Sequence, residues 1–138
     1  MALFYADASA LVKLVHDEPQ SAALGAFVCD ADIVSCELVL AEVPRAIRRA
    51  AAREPRLPLD LMIERAAEVL DALALLPLDR GLVCAAGALT EPALRALDAI
   101  HVAAALDMAP LEAFVTYDER QAAAARLGGL RTVRPGGG

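Results

Sequence analysis

The sequence predicts an α/β protein with a central parallel sheet, and three observations carry that expectation. Ala2 to Ala6 and Ala113 to Thr116 are uncharged runs without polar alternation, as in strands buried on both faces. Each run ends at a carboxylate, Asp7 or Asp118, and passes directly into a helical pattern. Between them, short apolar runs alternate with amphipathic segments, the rhythm of βα units. The sheet is expected to hold four or five strands.

Taken in order, the first strand gives way to a helix begun by Leu11, Val12 and Leu14, with Ser9 placed as its N-cap. Asp17-Glu18-Pro19 breaks it. A second helix, about Gln20 to Cys29, turns Ala23, Leu24 and Phe27 inward. Asp30-Ala31-Asp32 is a turn before a short strand, Ile33 to Ser35, after which Ser35 caps a third helix and Glu37 supplies a capping carboxylate. Pro44 within that helix predicts a bend or irregular turn near Ala41 to Pro44. Beyond Glu54-Pro55-Arg56-Leu57-Pro58 comes a helix from Leu59 to Leu73, with Leu61, Met62, Ala66, Val69, Leu70 and Leu73 as its inner stripe. Leu75 to Leu78 reads as a strand, Asp79 as the cap of a helix to Leu89, and Leu97 to Leu106 as a tightly packed helix. Asp118 repeats the place of Asp7, Gln121 to Leu127 closes the helices, and Gly128-Gly129 stops the last one before an edge strand, Arg131 to Val133.

The 138 residues suit one domain over 1–134, with a disordered tail over 135–138. Uncharged runs stop at about ten residues, short of a bilayer span, and Asp7 interrupts any leader-like opening, so a cytoplasmic protein with no membrane partner is expected. Cys29, Cys36 and Cys84 form no close pair, which points to free thiols rather than disulfides or structural zinc. The net charge of −6 argues against nucleic acid at first sight, although two divalent cations, adding four positive charges, would bring it to −2. Basic charge is also clustered: Arg45, Arg48, Arg49, Arg53 and Arg56 fall within twelve residues, and Lys13 is the one lysine among 13 basic residues. Arginine suits bidentate phosphate contact, and a solvated helix face accounts for the cluster equally well.

Four carboxylates stand out from 19. Asp7 and Asp118 close apolar strands. Glu42 lies among the apolar positions Leu38, Val39, Val43, Ala46 and Ile47, where a lone carboxylate is costly without a partner. Asp98 opens a helix, where the dipole alone favours it. An oxygen-only set favours a hard cation, Mg²⁺ or Mn²⁺, while strand-end position by itself fits helix capping just as well. His101, three positions after Asp98, is expected as a packed, hydrogen-bonded neighbour rather than a catalytic base.

Tyr5-Ala6-Asp7-Ala8-Ser9-Ala10-Leu11-Val12-Lys13-Leu14, Ser35-Cys36-Glu37-Leu38 with Ala41-Glu42-Val43 and Arg45, Leu97-Asp98-Ala99-Ile100-His101, and Val115-Thr116-Tyr117-Asp118-Glu119-Arg120 together resemble PIN-domain ribonucleases, and among them the VapC-type toxins. The resemblance covers nearly the whole chain and implies a three-layer α/β/α fold with a central parallel sheet and a Mg²⁺-dependent endoribonuclease, with Mn²⁺ as a substitute. Asp7, Glu42, Asp98 and Asp118 match its acidic metal-binding positions, and Ser9 and Thr116 its hydroxyl positions. Pro44 departs from the apolar helix former usual there. Lys13, Arg45, Arg48 and Arg49 are the candidates for contact with RNA. A homodimer, an RNA substrate and a VapB-like antitoxin laid over the acidic site are further implications. A phosphorelay receiver domain would need a late lysine that the chain lacks, and a haloacid-dehalogenase-like phosphatase would need an aspartate where Ser9 stands. A PIN-like scaffold that binds without cutting is the remaining alternative.

Overall fold

The computed structural model describes residues 2–137. Along the chain these form β1 (Leu3–Ala6), α1 (Ala8–Val15), α2 (Ser21–Val28), β2 (Asp32–Cys36), α3 (Val39–Arg53), α4 (Leu59–Asp71), β3 (Ala74–Leu76), α5 (Arg80–Gly87), α6 (Ala96–Met108), β4 (Ala113–Val115), α7 (Glu119–Leu127) and β5 (Thr132–Val133). The strands make one five-stranded sheet in the order β3-β2-β1-β4-β5, and every pairing is parallel. The expected three-layer α/β/α architecture is the observed one.

Residue alternation along the strands divides the core into two layers. Phe4 and Ala6 of β1, with Ala113 and Val115 of β4, face α1, α2, α3 and α4 through Leu11, Leu24, Ile47, Met62 and Leu70. Tyr5 and Phe114 point the other way, stack at 5.1 Å between ring centroids, and pack against α5, α6 and α7. That second layer is rich in small residues. Ala99, Ala103, Ala104 and Ala105 of α6 are all buried, which lets the helix approach the sheet closely.

The chain runs from β1 outward through β2 and β3, then returns to β4 on the other side of β1. The strand order therefore reverses between β1 and β4. In open parallel sheets ligands bind in the crevice beyond the carboxyl ends of the strands at such a point. Asp7 follows β1 directly, while Thr116 and Asp118 follow β4. The fold thus brings two of the candidate acids to the two lips of one crevice.

Several local expectations are corrected. The N-cap of α1 is Asp7, whose side chain accepts from the Ala10 amide, and Ser9 lies inside the first turn. Ser35 is buried within β2 and donates to the Ala6 carbonyl (2.7 Å) rather than capping a helix. Glu37 accepts from the Leu78 amide (2.9 Å), pinning the loop after β3. The irregular turn sits earlier than Pro44. Leu40 and Ala41 bond back three residues, to Glu37 and Leu38, after which α3 runs through Pro44 to Arg53. Leu40, the carbonyl that loses a partner at Pro44, belongs to an exposed residue, which softens the cost. Ala23, Phe27 (37% exposed) and Leu61 (65% exposed) lie outside the core, and Leu24, Met62, Ala66 and Leu70 carry the packing of their helices. The glycine stop is as expected: Gly129 adopts φ +88°, and the Leu130 amide reaches back to the Ala125 carbonyl (3.0 Å), closing a Schellman motif. In the tail, the Pro135 carbonyl accepts from the Tyr117 hydroxyl (2.7 Å), and Gly138 lies outside the described residues.

Candidate active site

Asp7 is 2% exposed, and every hydrogen bond it accepts comes from the two lips of the crevice. Its Oδ1 accepts from the Ser9 hydroxyl (2.6 Å) and the Ala10 amide (3.0 Å), and its Oδ2 from the Thr116 hydroxyl (2.6 Å). Thr116 Oγ1 in turn accepts from the Asp118 amide (3.0 Å), and Ser9 Oγ from the Tyr117 amide (3.0 Å). Two hydroxyls therefore stitch the β1–α1 turn to the β4–α7 turn with Asp7 at the knot. Burial pushes the Asp7 carboxyl above its ordinary range, against the opposing pull of the Ser9 and Thr116 hydrogen bonds and of the His101 charge.

Asp118 caps α7, and the Arg120 and Gln121 amides both donate to its Oδ1 (2.9 and 3.2 Å). Asp98 occupies the first turn of α6. Partial burial raises its pKa; the nearby charge of Asp118 and, more weakly, of Glu42 adds to that, while His101 and Arg95 pull it down. Gln121, buried on α7, donates to the Asp98 backbone carbonyl (3.2 Å) and fixes α6 against α7 at this point. Glu42 is in the first turn of α3 and its Oε1 stands 2.6 Å from His101 Nε2. Among the described residues no lysine or arginine forms an ion pair with any of the four acids.

The donor set fits a hard divalent cation. Its oxygens come from carboxylates and hydroxyls, the charges of Asp118 and Glu42 help to raise the Asp98 pKa, and among the described residues the one basic side chain paired with any of these acids is His101, at Glu42. Among the described residues no three histidine, cysteine or acidic groups are already gathered closely enough to hold an ion. Asp98 is partly exposed, and none of the intramolecular hydrogen bonds among the described residues ends on its carboxylate.

A cavity of about 650 Å³ opens beside Glu42, lined by Ser9, Lys13, Arg45, Arg49, Leu97 and Tyr117 among others. Arg45 and Arg49 face it, and Arg48 does not line it. Lys13 is not the exposed helix lysine its sequence position allows. It is tied to Glu18 (3.5 Å) and Gln20 (3.1 Å) and lies 4.8 Å over the Tyr117 ring. Tyr117, Gln121, Tyr5 and Cys36 are site neighbours that the sequence reading does not single out. Gln121 alone leaves a trace there, three residues after a capping aspartate.

A doubly wound α/β domain with buried Asp7 and helix-capping Asp118 at the reversal of strand order is the class of protein that this geometry defines. A family model of the PIN domain matches residues 4–127, and the chain belongs to that family. It is 37% identical to Ribonuclease VapC35 of Mycobacterium tuberculosis (strain CDC 1551 / Oshkosh) over 141 residues, 97% of this chain and 98% of that protein. Ribonuclease VapC47 of the same strain is 35% identical over 140 residues, again 97% of this chain and 98% of the relative. The crystal structure of PAE2754 from Pyrobaculum aerophilum shares the fold, with a TM-score of 0.66 at 22% identity, covering 96% of this chain and 84% of that one.

Proposed function

We propose that this protein is a Mg²⁺-dependent endoribonuclease, with Mn²⁺ as a substitute, and the toxin of a type II toxin–antitoxin pair. The observation that carries the reading is buried Asp7 beyond the carboxyl end of β1, linked through the Thr116 hydroxyl to the Asp118 backbone, with no lysine or arginine ion-paired to Asp7, Glu42, Asp98 or Asp118 among the described residues. Near-full-length likeness to relatives named as VapC ribonucleases supports it.

Asp7, Asp98 and Asp118 are the proposed metal ligands, with Glu42 as a further ligand or as the group that orients the attacking water. A divalent cation bound there would supply charge to the phosphate and its leaving oxygen and make a water more acidic. The chain does the rest. Ser9 and Thr116 fix both oxygens of Asp7, so the carboxylate meets its load without reorganising. The α7 backbone amides hold Asp118 by Oδ1. Arg45 and Arg49, along the cavity beside Glu42, are placed to receive the phosphates of a single strand, and Arg48 contributes less. Hydrolysis by water would leave a 5′-phosphate and a 3′-hydroxyl.

A VapB-like antitoxin is the proposed partner, covering the same cavity with a segment whose arginine pairs with the carboxylates, and a homodimer is the proposed assembly. No helix among the described residues is long and apolar enough to cross a membrane, and the cytoplasm is the proposed site of action. The purified chain, incubated with cellular RNA, should yield 5′-phosphorylated fragments with Mg²⁺ and none with a chelator. Absence of cleavage under both conditions would instead favour a silent binding scaffold. Co-expression with the neighbouring encoded partner should relieve growth arrest and give a co-purifying complex.

A further inference from the structure

Glu42 sits on α3, on one face of the sheet, and Asp98 on α6, on the other. The side chain that reaches Glu42 from α6 is His101, which is 1% exposed and one turn beyond Asp98. Its Nε2 lies 2.6 Å from Glu42 Oε1. A carboxylate can only accept, so the hydrogen of that short bond belongs to the imidazole in either charge state of the ring. The opposite nitrogen, Nδ1, lies 2.8 Å from the hydroxyl of Tyr5, which is 0% exposed and stacked on Phe114 in the sheet. Cys36 Sγ, at the end of β2, is a looser neighbour at 3.8 Å. Both ring nitrogens are therefore held, one by the core and one by Glu42.

We infer that His101 is a positioning residue. Anchored by Tyr5, it fixes Glu42 through Oε1 and leaves Oε2 to serve the acidic crevice. The inference rests on the nuclease reading above. Glu42 is only partly buried, and an unrestrained glutamate there would spread over several rotamers. A rigid donor behind a ligand oxygen removes that freedom and sets the ligand's direction, as partners behind metal ligands commonly do. Because the donor and Asp98 share one helix, the spacing between Asp98 and Glu42 is set by α6 itself. Sequence alone hides the device, since Tyr5 and His101 are 96 residues apart and Glu42 and His101 are 59.

The test measures Mn²⁺ affinity of the full-length chain by electron paramagnetic resonance, together with kcat and KM on an RNA that the parent cleaves. His101→Phe keeps a ring and removes the donor. Tyr5→Phe removes one hydroxyl and almost no volume. His101→Gln restores an amide donor. The expected result is a loss of Mn²⁺ affinity in His101→Phe of about 10–100-fold, a smaller loss in the same direction in Tyr5→Phe, and partial recovery in His101→Gln. Activity should fall in kcat with KM for RNA little changed, because Arg45 and Arg49 are untouched. Folded His101→Phe or Tyr5→Phe protein that binds Mn²⁺ as the parent does, in a parent that binds and cleaves, overturns the inference and leaves the nuclease reading standing. Should His101→Phe fail to fold, Tyr5→Phe decides alone. A parent that neither binds Mn²⁺ nor cleaves RNA overturns both.

Discussion

Asp7 shows how one side chain serves the fold and the chemistry at once. It caps α1 through Oδ1 and ties β4 to β1 through Thr116, yet its burial disfavours the charge it must carry to hold a cation. Asp7→Asn keeps the shape and an acceptor for the Ala10 amide while removing that charge. The expected outcome is a fall in Mg²⁺-dependent cleavage of at least about 10²-fold, with a melting temperature in chelator equal to the parent's or higher. Retention of near-parental cleavage would remove Asp7 from the chemistry. His101 gives a second prediction at this scale. Its burial would lower its pKa, but hydrogen bonds to Cys36 and Glu42 outweigh that and push it up to about 10 from an ordinary 6.5. A raised folded-state pKa stabilises most below the unfolded value and loses that contribution as pH climbs to the folded one. The chelator-treated protein should therefore melt at lower temperature as pH rises from 6.5 towards 10. His101→Gln should flatten that slope, and an unchanged slope would show that the Glu42–His101 pair does not hold the proton.

At the scale of elements, the site is built where strands end and helices begin. Asp7, Asp79 and Asp118 each cap a helix; the Asp79 cap was read directly from the sequence, while strand-end position left capping and metal binding equally open at Asp7 and Asp118. Ser9 and Ser35 misled for a physical reason: which residue caps depends on where the backbone leaves the extended region, and Asp7 at ψ 179° is that point. Periodicity found α2 and α4 but named Phe27 and Leu61 as inner residues, since an apolar stripe does not reveal how much of it a neighbour covers. Helix α3 carries the third prediction. Arg45 and Arg49 line the cavity and Arg48 does not, so the double change of Arg45 and Arg49 to alanine should weaken single-stranded RNA binding. It should also reduce the slope of log affinity against log salt by about 1.4, two contacts at roughly 0.7 each. Arg48→Ala should leave the slope near the parent's. Equal effects of all three changes would mean a diffuse basic field rather than a track along the groove.

For the whole molecule, strand order is what brings Asp7 and Asp118 to one crevice. The two central strands, β1 and β4, are paired at Tyr5↔Phe114 and Ala6↔Val115, so the acids that follow them emerge side by side where the order reverses. This much was written in the sequence: two uncharged runs, each ending in aspartate, told where the central strands and their crevice lie. The remaining architecture was not, because the Tyr5–His101–Glu42 chain and the Gln121–Asp98 contact exist only once α6 is packed between β1, α3 and α7. The most direct test is a crystal of the protein grown with Mn²⁺ and measured for anomalous scattering. A peak is expected in the crevice between β1 and β4, ligated by Asp7 and by carboxylates of Asp98 or Asp118. An active crystal form with no peak there, or with its peak outside these acids, would contradict that expectation.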